Sequence, residues 1–296
     1  MRAAVIVNPA KSDMADVRTR IDKALTAAGW SPSLWLQTTP EDPGQGMAEA
    51  AVAADVELVV ICGGDGTVMA CLGPLADSGM SAAIVPVGSG NLLARNLGIP
   101  LEFDEALATA VDGEERRIDL GRLDDQPFAV MAGMGFDAAM MADTTEGMKR
   151  VAGWAAYVSS GLRHLRDPVM RVRLRIDDGP ELRRSARTVL VGNVGQLEGG
   201  LELLPDAAAD DGLLDVVVVA PRTLRDWLRV AYRIVRHHKH DRHLERHRGQ
   251  SISIEADRTV PRQMDGEVIG EGRRIDARVQ PGALIVRVPQ SSAAAA

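Results

Sequence analysis

Apolar residues in the first third of the chain come in short unbroken runs, each followed by a stretch of helical spacing. The runs "AAVIVNP", "SPSLWLQTT", "ELVVICGGDGT" and "AAIVPVGSGN" predict four strands. Between and after them, "MADVRTRIDKALTAAGW", "EDPGQGMAEAAVAADV", "VMACLGPLADSG" and "LLARNLG" repeat apolar positions three and four residues apart, which predicts helices. Strands apolar on both faces and alternating with helices form a parallel sheet with both sides covered. In that architecture ligands gather at the carboxyl ends of the strands. The turns "NPAKS", "GGDGT" and "GSGN" are therefore expected on one edge.

From about Leu120 the pattern changes to short strands separated by turn signals: "QPFAVMAGMGF", "VMRVRLRIDDG", "RRSARTVLVGNVG", "LLDVVVVAP", "SISIEA" and "ALIVRVP". "RVRLRID" alternates apolar and charged residues, as a sheet with one wet face does. This half reads as an antiparallel sandwich with helical insertions around 143–165 and 222–247. The fold class is then an α/β lobe with a parallel sheet over 1–121 and a mostly antiparallel β-sandwich lobe over 122–290. The remaining 291–296 are too simple in composition to pack and are expected to be disordered. A cleft between two such lobes is the expected active site.

Charge narrows the function classes. A formal net charge of −7 argues against nucleic acid as the main partner, since backbone binding leaves a basic footprint. Cys62 and Cys71 form no CxxC motif and suggest neither a disulfide framework nor a zinc site. No apolar run approaches the ~18–20 residues of a membrane span. A cytoplasmic protein is expected.

The candidate chemistry begins at "GGDGT". Glycine costs roughly 0.5–1 kcal/mol in backbone order, and one would suffice for a turn. Several glycines directly after a strand let backbone N–H groups approach an anion, and the next helix N-terminus favours negative charge. The loop is neither GxxxxGK[ST] nor GxGxxG, which disfavours a P-loop ATPase and a dinucleotide site. Asp65 among phosphate-facing amides implies a metal or a hydroxyl partner. "VGSGNLLARNLGIP" repeats the logic with Ser89 and Asn91. "PDAAADDGLLDV" groups Asp206, Asp210, Asp211 and Asp215 around a glycine turn, where a hard cation could find oxygen ligands or the acids could simply be solvated. "QMDGE" holds Asp265 and Glu267 at a turn that is an ordinary hairpin signal or a general-base site. "RTLRDWLRVAYRIVRHHKHDRHLERHR" holds nine of the 34 Lys/Arg residues and reads as a basic amphipathic helix over 222–248, either solvated or membrane-facing.

Taken together, "GGDGT", "GSGNLLARNLGIP", "IDLGRL", "AGMGFDAAMM", "PDAAADDGLLDV" and "QMDGE", in this order, resemble the bacterial soluble lipid kinases of the diacylglycerol kinase catalytic-domain family, which includes the sphingosine kinases. The resemblance runs from about Ala3 to Pro289. It implies a nucleotide lobe shared with NAD kinases and ATP-dependent phosphorylation of a lipid hydroxyl, most simply of diacylglycerol. Residues Asn8, Pro9, Ala10, Lys11 and Ser12, then Thr38, then Gly63, Gly64, Asp65, Gly66, Thr67, Val68 and Met69, then Ser89 with Asn91, would contact ATP. Asp65 would lie by the phosphates and the catalytic Mg²⁺. Asp119 would belong to the polar network around the site. Glu267 would take the lipid hydroxyl's proton, with Asp265 nearby. The Ala208 carbonyl, Asp211 and the Leu213 carbonyl would hold a structural Mg²⁺.

The partner implied is a lipid at a membrane surface, met peripherally on the inner face of the cell membrane, and a homodimer is compatible with the resemblance. Leu92 stands where the family often has Asp, Ser89 where it often has Thr, Ser160 where some members have Lys, and "NPAKSD" lacks the family's glycine and basic residue. GGDGT is also found in NAD kinases, so a soluble acceptor such as NAD is an alternative. A nucleotide- or lipid-binding regulator without turnover is another.

Overall fold

The computed structural model describes residues 1–11, 13–31, 33–135, 169–196, 202–221, 226 and 244–290. Contacts divide the chain into two compact units, Met1–Asp119 with the chain from Gly282 onward, and Leu120–Pro281. The linear division of the sequence assigns 282–290 to the second lobe. Here the last strand ends on the first unit's sheet, pairing Ile285 with Ser81 and Val286 with Ala82.

The first unit contains β1 (Ala3–Val7), α1 (Met14–Ala27), β2 (Leu34–Gln37), α2 (Gln45–Ala53), β3 (Leu58–Gly63), α3 (Asp65–Leu75), β4 (Ser81–Pro86), α4 (Leu92–Asn96), α5 (Phe103–Asp112) and the start of β5 (Glu114–Leu123). Its sheet runs in the order β14 (Glu267–Val288), β4, β3, β1, β2, with every pairing parallel. Every residue of β1, β3 and β4 is buried, as unbroken apolar runs require when both faces are covered. Helix α1 shows the local logic. The Asp13 carboxylate accepts from the Ala15 N–H at 3.0 Å, Val17, Ile21 and Leu25 bury one stripe, and Gly29 follows at φ 80°.

Helix α5 and strand β5 occupy a stretch for which the apolar pattern predicts no element. Strand β5 opens on the charged residues Glu114–Arg117, mostly exposed, and only its second half is buried. Such a strand has no alternating signature to read.

The second unit holds β6 (Gln126–Phe128), β7 (Met131–Gly135), β8 (Met170–Ile176), β9 (Leu182–Ala186), β10 (Thr188–Gly192), β11 (Leu214–Val219), β12 (Leu244–Gly249), β13 (Ser251–Met264) and most of β14. One antiparallel layer runs β12, β11, β10, β7, β13, and a second runs β9, β8, β13, β14. Strand β13 serves both layers: Ile252–Ala256 pair with β8, Arg262–Met264 pair with β7, and its register against β14 shifts between Glu255 and Val260. Val172, Leu174, Ile252 and Ile254 lie buried on the inner side, as do Val216 and Val218. The result is the β-sandwich expected from the turn spacing.

Three expectations are corrected. "QPFAVMAGMGF" forms two strands, β6 on β5 and β7 on β10. "RRSARTVLVGNVG" forms two strands, broken at Arg187, whose N–H donates to the Val219 carbonyl at 2.9 Å and whose side-chain Nε donates to the Pro221 carbonyl at 2.8 Å. The end of the predicted basic helix is strand β12, because Leu244–Gly249 pair residue by residue with β11. The insertion at 143–165 and the rest of the basic segment, apart from Asp226, lie outside the described residues. No helix among the described residues is long and apolar enough to cross a membrane.

Candidate active site

The parallel order β4, β3, β1 puts the three glycine- and asparagine-bearing turns side by side at the strands' carboxyl ends. Hydrogen bonds join them. The Asn8 N–H donates to the Cys62 carbonyl at 3.1 Å, and the Val87 N–H to the Gly63 carbonyl at 3.0 Å. Asn8 Oδ1 accepts from the Ala10 N–H at 3.0 Å, and its Nδ2 reaches Thr67 Oγ1 at 3.5 Å. Thr38 is buried at the next strand end, its N–H donating to the Val7 carbonyl at 3.0 Å. Pro9, Ala10, Lys11 and Ser89 are exposed along this edge; Val68 is buried and Met69 half-buried in α3; Ser12 lies outside the described residues.

Asp65 has a definite job in this edge. Its Oδ2 accepts from the Asn91 N–H at 2.7 Å and its Oδ1 from the Leu92 N–H at 2.6 Å. Asn91 sits in the left-handed region (φ 50°, ψ 48°), which Asn tolerates better than most residues. Its Oδ1 accepts from the Gly88 N–H at 3.1 Å and its Nδ2 donates to the Gly88 carbonyl at 2.8 Å. The carboxylate thus pins the neighbouring turn, and the asparagine clamps that turn from inside.

The glycines are explained by close approach. Gly64 has an ordinary φ of −97°. A Cβ on Gly88 would meet Gly64 Cα at 2.7 Å and Asn91 Oδ1 at 2.8 Å; one on Gly63 would meet the Thr67 side chain at 2.6 Å. The two turns touch backbone to backbone, which side chains forbid. Helix α3 starts here without a side-chain cap, and its first bond is Val68 N–H to the Gly64 carbonyl at 3.0 Å. The N–H groups of Asp65, Gly66 and Thr67 precede it and have no intrahelical acceptor. Such a helix start binds anions, phosphate included.

A second cluster belongs to the other unit. Asp265 and Gly266 have φ of 45° and 88°, the two positive values of a tight hairpin turn between β13 and β14. The buried Asp265 carboxylate accepts three backbone N–H groups: Ala129 at 2.8 Å, Val130 at 2.9 Å and Met131 at 2.7 Å. Its own N–H donates to the Met131 carbonyl at 2.7 Å. Asn193 grips the same segment, with Nδ2 donating to the Ala129 carbonyl at 3.1 Å and N–H to the Val130 carbonyl at 2.9 Å. Asp265 is therefore a positioning residue. It holds the turn whose last residue, Glu267, stands exposed with its carboxylate available. The reading of the sequence missed Asn193, whose one signal was an amide inside an apolar run.

Asp119 is buried in the first unit, where it accepts from the Gly282 N–H at 2.8 Å. The acidic loop is organised by an arginine. Arg248 donates from Nε to Asp215 at 3.1 Å, from Nη2 to the Asp206 carbonyl at 2.8 Å, and also to Asp211 Oδ2. Asp211 Oδ1 accepts from the Leu213 N–H at 3.0 Å. Of the expected structural Mg²⁺ set of Ala208, Asp211 and Leu213, the one carboxylate accepts from Arg248 and from the Leu213 N–H, so a cation bound there would share Asp211 with the guanidinium or displace it. Burial raises the Asp215 pKa despite that guanidinium, with Asp211 and Asp206 adding to the rise. Among the described residues no three His, Cys, Asp or Glu side chains cluster as metal ligands. Burial, reinforced by Asp42, pushes the Cys71 thiol up to about 12.

Comparison with known proteins finds two family models along the chain. The diacylglycerol kinase catalytic domain matches residues 2–123, and the YegS C-terminal NAD kinase beta sandwich-like domain matches 129–288. A Pseudomonas fluorescens protein named "Probable lipid kinase YegS-like" is 33% identical over 299 residues, covering 98% of this chain and 96% of its own. A Bacillus subtilis protein named "Diacylglycerol kinase" is 29% identical, covering 91% of this chain and 90% of its own. The crystal structure of a diacylglycerol kinase from Bacillus anthracis superposes with a TM-score of 0.75 at 22% identity, over 97% of this chain and 96% of that one, which shows a shared fold.

Proposed function

Because the chain belongs to the diacylglycerol kinase catalytic-domain family of lipid kinases, in its YegS-like form, we propose that it transfers the γ-phosphoryl group of ATP to the hydroxyl of a diacylglycerol-like lipid. The observation that carries the reading is the uncapped start of α3 at Gly64, next to a turn held by Asp65 and Asn91. An anion is the natural acceptor for those amides.

In this reading the N–H groups of Asp65, Gly66 and Thr67 hold phosphate oxygens, and Lys11 adds a positive charge from the first turn. Asp65 fixes the second glycine turn beside them. Phosphoryl transfer needs mainly positioning and charge stabilisation, and rigid backbone donors supply both. Glu267 receives the acceptor's proton while the lipid oxygen bonds to the γ-phosphorus. The bond to the β-phosphate's bridging oxygen breaks, and ADP leaves. Mg²⁺ bound with ATP would neutralise phosphate charge, and Asp65, with lone pairs beyond its two amide bonds, is the carboxylate suited to share it. Asp265 acts through the turn it holds, and Asp119 through Gly282.

The test is radiolabelled ATP with diacylglycerol, a sphingoid base and NAD as separate acceptors. Wild type is expected to label diacylglycerol, and Glu267→Gln to lose roughly 10²–10⁴-fold, the usual worth of a general base, with an unchanged melting curve. Equal turnover by Glu267→Gln refutes the base assignment, and labelling of NAD alone refutes the lipid acceptor.

A further inference from the structure

The outer face of the β9–β8–β13 layer is basic, on a chain whose net charge is −7. The alternation of β8 sends Arg171, Arg173 and Arg175 to this face, and all three are exposed. Register places Arg183 of β9 directly opposite Arg173. Like charges facing each other across a ladder are destabilising, so fold stability gives no reason for the pair. Their acids are few. Arg173 meets Glu255 at 2.6 Å and Arg183 meets Glu181 at 2.9 Å, while the Arg171 backbone N–H donates to Asp257 Oδ1 at 3.1 Å. Arg173 and Arg183 stay 51% and 80% exposed in spite of those pairs.

This face opens into a groove of about 570 Å³ lined by Arg171, Arg173, Arg183, Arg184 and Arg273, against Glu255 and Asp257. Guanidinium groups present planar donor forks matched to phosphate oxygens. Arg184 is held by both oxygens of Glu245, so the guanidiniums that face solvent are those of the exposed Arg171, Arg173, Arg183 and Arg273, and with Arg175 beside them they outnumber Glu181, Glu255 and Asp257 and favour a phosphate-bearing surface. Beneath them the sheet is fully packed, since Val172, Leu174 and Ile254 are buried, so the arginines are carried on a rigid support.

We infer that this arginine face is the surface by which the protein docks on a bilayer of anionic phospholipid. The inference rests on the lipid-kinase reading only in its choice of occupant: an enzyme acting on a membrane lipid must reach a bilayer, and among the described residues this is a face whose charge complements one. The attraction falls off within a Debye length, ~10 Å at 0.1 M salt and ~3 Å at 1 M.

The experiment is co-sedimentation of the full chain, without nucleotide, with vesicles of phosphatidylglycerol and phosphatidylcholine in equal parts, or of phosphatidylcholine alone. A basic residue near an anionic surface is worth roughly fivefold in partitioning. The triple variant Arg171→Gln, Arg173→Gln, Arg183→Gln is thus expected to bind about 100-fold more weakly, and the corresponding triple Lys variant to keep most of the binding. Binding by wild type should vanish near 1 M salt. Equal binding to neutral vesicles, unchanged binding by the Gln variant, or retention on heparin with none on vesicles overturns the inference. Activity on lipid dispersed in neutral detergent separates the two readings. Wild type that docks but phosphorylates no lipid contradicts the kinase reading and leaves the surface standing. Wild type that phosphorylates dispersed lipid but ignores anionic vesicles contradicts the surface alone.

Discussion

The two carboxylates of "MDGE" should separate completely on mutation. Asp265 accepts N–H groups from Ala129, Val130 and Met131 at 2.7–2.9 Å and is buried. Hydrogen bonds to a charged group are worth roughly 1.5–3 kcal/mol each, so Asp265→Ala removes about 4.5–9 kcal/mol and orphans three buried donors. The alanine also inherits a φ of 45°, the left-handed region, at roughly 1–2 kcal/mol. Since whole-domain stability is only about 5–15 kcal/mol, this variant should be barely folded or unfolded.

Asp265→Asn isolates the carboxylate from the backbone term, because Asn tolerates the same φ. One oxygen can still accept from Val130 and Met131, while the amide NH₂ faces the Ala129 donor. The loss should be about 2–3 kcal/mol, which at ~2–4 °C per kcal/mol lowers the melting midpoint by ~4–12 °C. Glu267→Gln, exposed at the other end of the same turn, should leave the midpoint within ~1–2 °C, since surface changes stay near ±0.5 kcal/mol. Thermal melts by circular dichroism on the three variants are the assay. Asp265→Ala melting like wild type, or Glu267→Gln melting like Asp265→Asn, would refute the division of labour.

Other expectations follow from the same contacts. Gly88→Ala places a Cβ 2.7 Å from Gly64 Cα, so the turns must part; ATP affinity measured by calorimetry should fall, and wild-type affinity would show the backbone contact to be unimportant. Arg248 already pairs with Asp211 and Asp215, so EDTA should leave the wild-type melting midpoint unmoved while Arg248→Gln lowers it; a wild-type midpoint that drops on chelation contradicts this. Glu245 has its pKa lowered, chiefly by the Arg184 hydrogen bond, so its contribution is present above the ordinary glutamate pKa near ~4.3 and is lost as pH falls through the depressed value. Arg184→Gln should accordingly flatten the acid limb of the stability curve, and an unchanged limb would exclude the pair. Cys62 and Cys71 are both buried, and the Cys71 thiol is raised to about 12; a thiol reagent at pH 8 should label neither until denaturant is added, and native labelling of Cys71 would contradict its burial.

What the sequence disclosed follows from which interactions are local. The parallel lobe was legible because β1, β3 and β4 are buried on both faces and so are written as unbroken apolar runs. The shared edge of their turns then follows from topology alone. The role of Asp65 was half legible. Its place among glycines marked it, but the amides it accepts from are 26 and 27 residues away. The grip of Asp265 on Ala129–Met131 spans 134–136 residues and leaves no local trace. Strand β12 was hidden for another reason: "LERHRG" is polar throughout its middle, and only pairing with β11 makes it a strand. The basic outer face was visible as the alternation of "RVRLRI", yet the facing of Arg173 by Arg183 needed the register.

The glycines of "GGDGT" likewise gain a meaning that spacing could not supply. Gly64 meets Gly88 to fuse two turns into one edge, and the helix behind it starts without a side-chain cap.

Whether this edge serves a lipid kinase is tested most directly by mass spectrometry of a total membrane lipid extract incubated with the pure protein and γ-labelled ATP. The label should enter a lipid hydroxyl, diacylglycerol above all, and Glu267→Gln should lower its incorporation by roughly 10²–10⁴-fold. Label confined to a soluble acceptor, or none in any lipid from a protein that binds ATP, would contradict this expectation.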